Sequence, residues 1–226
     1  MNLIPVLSTI VTFAFTIAVF LRYQKKKGLH LLYWTIGLFF YGLGTLSEVI
    51  LGFTFNGLVL KLWYLTGAML TAAWLGQGSL QLLVRKGKWV TYLTYALAII
   101  SLLSLVLVFL APLTGKEASY NLAGTISEQY KDILTRSGGI ILLTILLNIY
   151  GTLGLVGGAV YSAFLFWRKK VLASRMFGNI FIAVGALSPA MAGTLVKSGI
   201  VDALYISELV GAILMFIGFI LSTLGK

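Results

Sequence analysis

The chain has no cysteine, so it can form no disulfide, thiolate nucleophile, iron–sulfur cluster or thiolate-bound zinc site. Its one histidine, His30, excludes a haem held by two histidines and any multi-histidine metal site. Acids are scarce: Glu48, Glu117, Glu128, Asp132, Asp202 and Glu208 are the full set. Too few remain for a carboxylate metal cluster once the loop positions are set aside. Only three prolines, Pro5, Pro112 and Pro189, interrupt 226 residues. Charged residues make up 10% of the chain, whereas a soluble domain carries roughly a quarter. These shortages exclude a soluble enzyme, a disordered tail and a disulfide scaffold. With no nucleophile–base pair and no ligand set in view, the expectation is a protein without catalytic activity and without a cofactor.

Apolar residues fill the space instead. They make up 59% of the chain, and the mean hydropathy is +1.00. A bilayer core needs roughly 20 consecutive apolar residues per helix. Seven such runs are present, at about 5–22, 31–52, 59–83, 90–112, 138–167, 176–196 and 203–224. They are continuously apolar, whereas barrel strands would alternate. The expected fold is therefore an all-α, seven-helix transmembrane bundle spanning residues 1–226 as one domain. The first run lacks a basic leader and a small-residue cleavage site, so it reads as an uncleaved anchor.

The net charge of +11 is a matter of position. Arg22, Lys25, Lys26 and Lys27 follow the first run. Arg85, Lys86 and Lys88 follow the third, and Arg168, Lys169, Lys170 and Arg175 follow the fifth. With Lys226, these account for twelve of the 17 basic residues, and no acid lies among them. Positive loops stay cytoplasmic, which predicts the N-terminus outside and the C-terminus inside, in a plasma membrane. Trp34, Trp89 and Trp167 stand beside these loops as expected interfacial anchors. The charge thus points to lipid headgroups and not to nucleic acid.

One long connection, 113–137, lies on the predicted outer side. Ile126, Tyr130, Ile133 and Leu134 recur at helical steps, predicting a short amphipathic helix there. It reads as a solvated connector, a lid or a docking patch. Runs 1–3 and 5–7 share direction, as a parallel 3+1+3 repeat would require. At an offset of 144 residues, Leu65–Leu70 aligns with Leu209–Leu214.

Small and polar residues mark the helix faces that meet protein, because lipid is as apolar as leucine. Gly67 and Gly211 belong to such stripes. Gly154, Gly158 and Ser162 form the strongest small-residue ladder, fitted to an internal seam or to a homo-oligomer. Pro189 predicts a bend in run six. Glu48 and Glu208 sit in the outer part of runs two and seven, on glycine-bearing faces. A mid-bilayer carboxylate costs on the order of 2.5–3.5 kcal/mol, so both should face protein or water. They read either as ion pairs with Lys61 and Lys197 or as an acidic vestibule. The expected ligand-binding set is Glu48, Glu208, Asn148, Tyr41, Tyr64 and Trp74, the aromatics supplying cation–π contacts. The leading expectation is a facilitator or transporter of a small cationic or polar ligand. The alternatives are a sensor or accessory subunit acting through a protein partner, and a scramblase-like, lipid-handling protein. A retinal pigment is excluded, since run seven has no lysine before Lys226.

Overall fold

The computed structural model describes residues 3–84, 87–169, 173–197 and 203–224, with the backbone alone at 190, 192–197 and 224. Every regular element among these residues is helical. Besides a single 3-10 turn at Glu117–Ser119, they are in chain order α1 (Ile4–Lys26), α2 (Leu29–Leu51), α3 (Gly57–Leu83), α4 (Trp89–Leu110), the short α5 (Ile126–Ile133), α6 (Gly138–Arg168), α7 (Ala173–Lys197) and α8 (Ala203–Leu224). Six of them, α1 to α4, α6 and α8, are long and apolar enough to cross a membrane. Helix α7 falls on the run expected at 176–196. Arg85, Lys86, Lys170, Asp202 and Lys226 lie outside the described residues, as does the side chain of Lys197.

Local chemistry sets the helix ends. Helix α1 runs past its expected end and stops at Lys27, whose φ of 53° is left-handed. Asn56 starts α3, its Oδ1 accepting the amides of Leu58 and Val59 at 2.9 and 3.2 Å. Helix α4 ends at Leu110 because Pro112 disfavours helical geometry in the residue before it, and Ala111 is extended.

The helices meet where side chains are missing. A Cβ on Gly76 of α3 would lie 2.6 Å from the Gly151 carbonyl oxygen of α6, and one on Gly154 would lie 2.9 Å from that of Gly76. Gly158 continues this line against Ser79 and Leu83. The ladder from Gly154 to Gly158 is therefore an internal seam, with Ser162 half-buried beyond it. Gly44 of α2 meets Gly67 of α3 in the same way. Helices α7 and α8 are joined at Gly185 and Gly211, each standing over the carbonyl oxygen of the other. Pro189 lacks the amide that would bond the Gly185 carbonyl, and that oxygen lies against Gly211.

The basic ends gather at one end of the bundle. The Arg22 guanidinium stands 5.9 Å from the centre of the Phe219 ring, tying α1 to the end of α8. Trp89 and Trp167 are exposed here. Trp34 corrects the expectation. It is 9% exposed, packs against Gly78 and donates to Ser79 Oγ, so it is a core residue. The repeat gains no backbone support, because Tyr64–Leu70 is π-helical whereas its aligned partner lies in regular α-helix.

Helix α4 stands at the periphery, with Tyr92, Tyr95, Ile99, Leu102 and Leu110 exposed. Buried Gln77 of α3 secures it. Its Nε2 donates to Val90 O at 3.0 Å and to Thr94 Oγ1 at 2.6 Å, while its Oε1 accepts from the Tyr150 hydroxyl of α6. Gln77→Leu strands that hydroxyl, and a buried unpaired polar group costs about 1–3 kcal/mol. Thermal unfolding in detergent should show a lower midpoint for Gln77→Leu. Adding Tyr150→Phe should recover part of the loss.

Candidate ligand-binding site

Two irregular turns open the middle of the bundle. Tyr64–Leu70 of α3 and Leu153–Gly157 of α6 are π-helical, a distortion that frequently accompanies functional sites. Side chains take up carbonyls around the first turn. Thr71 Oγ1 donates to Thr66 O at 2.8 Å, and Asn148 Nδ2 donates across to Ala68 O at 2.7 Å. Between these helices lies a cavity of about 690 Å³. Helix α2 lines it with Tyr41, Gly44 and Thr45, and α3 with Trp63, Gly67, Ala68 and Thr71. Asn148, Thr152 and Leu155 come from α6, Ala186 and Pro189 from α7, and Glu208 and Met215 from α8.

Glu208 brings acid to the wall. Its carboxyl group contacts that of Glu48, which is 3% exposed. The Trp63 indole N–H donates to Glu48 Oε1 at 2.9 Å, and the Tyr41 hydroxyl donates to the Glu208 backbone carbonyl at 2.8 Å. The Oε2 atoms of both glutamates are buried without a hydrogen-bond partner. Lys61 does not pair with Glu48; its Nζ donates to Phe109 O at 2.9 Å. The expected partner of Glu208, the Lys197 side chain, lies outside the described residues.

Helix α5 covers the cavity at the end away from the basic helix ends. The amphipathic pattern appears as expected, with Ile126, Ile133 and Leu134 each 1% exposed. The segment is tied down at both ends. Thr114 N bonds Ile133 O at 2.9 Å, Thr135 N bonds Pro112 O at 3.1 Å, and Ile126 N donates to the Tyr205 hydroxyl of α8 at 3.4 Å. Tyr130 lies against Trp63 and Tyr64, with ring centres 5.3 and 5.7 Å apart, and the Arg136 guanidinium sits 4.9 Å over its ring. Burial pushes the Tyr130 phenol above its ordinary range, and Arg136 opposes that shift. Tyr120 is raised too, by burial first and then by the charge of Glu48. Ser127, Glu128, Tyr130 and Lys131 complete the cavity lining.

Of the six residues expected to bind ligand, Tyr41, Asn148 and Glu208 line the cavity, and Glu48 stands directly behind Glu208. Two stand elsewhere. The Tyr64 hydroxyl shares a 2.9 Å hydrogen bond with Thr144. Trp74 faces α4, donating to Ser101 Oγ at 3.1 Å and tilting against Tyr33. Trp63 and Ala68 were not foreseen, and Thr71 was expected on the bundle-facing stripe of this helix but not as a ligand contact. Trp63 had a legible signal, a bulky indole two residues after Lys61 near the start of an apolar run, but nothing in its spacing coupled it to Glu48.

No family model, curated protein or solved structure matches this chain.

Proposed function

We propose that the protein binds a small polar or cationic solute in this cavity and facilitates its passage across the plasma membrane, without catalysing a reaction. In this reading α7 completes seven spans, the N-terminus is outside and the basic ends are inside. That orientation puts α5 on the outer face as the cover of the site. One observation carries the proposal: Glu208 lines a cavity within a bundle of membrane-length helices, its carboxyl group backed by that of Glu48, and the Oε2 of each is buried without a hydrogen-bond partner.

Uptake of tetramethylammonium into proteoliposomes tests it. Ala68→Trp places an indole in the cavity and should lower the initial rate about tenfold or more, with the protein still monodisperse. Wild-type rates no faster than in protein-free vesicles would count against transport.

A second reading is an accessory subunit that works through a partner. It draws on the charged outer face of α5, where Glu128, Lys131 and Asp132 are exposed. The Gly154–Gly158 seam is occupied internally and lends it no surface. Co-purification of a stoichiometric partner bound through 113–137 would favour it. A lipid-handling role rests on the basic inner rim and is separated by a labelled-lipid scrambling assay.

A further inference from the structure

Resting on the solute-binding reading, we infer that the occupant of the cavity is an organic monocation, an ammonium head carried on a small apolar body. The polar end of the cavity offers acceptors. Glu208 brings a carboxyl oxygen with no partner, backed by the equally unpartnered Oε2 of Glu48. Asn148 engages its Nδ2 with Ala68 O and Thr144 O, so its Oδ1, an acceptor, is what remains for a guest. The cation in the lining, Lys131, belongs to α5; at the acidic end an anion finds no complement. The two touching carboxyl groups lie close enough to share a proton, and a cationic guest favours the ionised form of such a pair as a neutral guest does not. A divalent metal ion is poorly served. It needs several converging oxygens, and among the described residues no three acids or histidines come together. The cavity of about 690 Å³ is also far larger than a bare ion.

The remaining wall suits a body on that head. Tyr41 and Trp63 bring aromatic rings to the lining, and aromatic faces attract a cation; the Tyr130 ring already lies under Arg136. Leu155 and Met215 supply apolar surface for an alkyl or aryl group.

The test is calorimetric titration of the purified full-length protein at neutral pH with benzylammonium, benzyl alcohol, benzoate and calcium. Benzylammonium should bind with one-to-one stoichiometry and at least about tenfold more tightly than benzyl alcohol, the margin of one charge-assisted hydrogen bond. Benzoate and calcium should give no saturable heat. Glu208→Gln should bring the ammonium-to-alcohol ratio near one, and Glu208→Asp should keep it above one. The comparison of ammonium with alcohol on the wild-type protein needs no variant to fold. Equal or tighter binding of the alcohol, binding of benzoate or calcium in place of the ammonium, or no ammonium binding at all overturns the inference. Alcohol binding that Ala68→Trp removes would keep the cavity as a site and discard only the cation. Binding of any organic probe that survives Ala68→Trp would discard the cavity itself.

Discussion

Glu48→Gln and Glu208→Gln should each lower tetramethylammonium uptake about tenfold or more, and the double substitution should be no worse than the stronger single one. The two carboxyl groups touch, so they act on a guest as one unit. Groups that act as a unit give strongly non-additive effects. Stability should move the other way. Replacing one of two touching buried carboxyl groups by a neutral amide removes the burial cost of an ionisable group, and glutamine at 48 keeps an oxygen for the Trp63 indole. The melting midpoint in detergent should therefore equal or exceed that of wild type, which separates lost uptake from lost folding. Initial rates normalised to reconstituted protein provide the measurement. A double variant whose loss is the product of the single losses would show two independent groups. Unchanged rates in both single variants would remove the pair from the transport path.

Gly151→Leu should be the most damaging single change to the fold. A Cβ there runs into the Ala72 carbonyl group and comes within 2.5 Å of the Ala73 nitrogen. These are backbone atoms of α3, so no rotamer change relieves the clash, and α3 and α6 must separate. Overpacking of flexible cores costs about 1–3 kcal/mol, and a rigid backbone contact belongs at or beyond the upper end. For a chain of this size that is a fall on the order of 10 °C in the melting midpoint, with aggregate in size-exclusion chromatography. Gly157→Leu is the matched control, exposed on the same helix with nothing within 4 Å of its Cβ. Its effect should stay within about 0.5 kcal/mol. Equal damage at both positions would show that the close approach is not what matters.

The bundle was readable because helix length and small-residue spacing follow directly from lipid physics. The apolar runs announced the helices, and Gly154, Gly158, Gly67 and Gly211 announced the seams. Glu48 and Glu208 could be placed near each other because a carboxylate in hydrocarbon has few places to go. The site's aromatics were less legible, for a geometric reason. Tyr64, Gly67, Thr71 and Trp74 share one face only if α3 is regular. The π-helical turn at Tyr64–Leu70 adds a residue, and each residue is worth roughly 100° of rotation at 3.6 residues per turn. Gly67 and Thr71 stay on the cavity while Tyr64 turns toward Thr144 and Trp74 toward Ser101. Nothing in the residue types Tyr-Leu-Thr-Gly-Ala-Met-Leu marks such a turn. Trp34 failed for a related reason. Proximity to a basic loop suggested an anchor, but the gap beside Gly78 takes the indole inward.

The bond from Ile126 N to the Tyr205 hydroxyl links the cover of the cavity to the helix that carries Glu208, three residues further on. Cover and acid therefore belong to one mechanical part. Lifting α5 strains the first turns of α8, and drawing Glu208 toward a guest pulls on α5. On the solute-binding reading, admission and retention of a guest would be two positions of a single lever, and easing entry would loosen the grip.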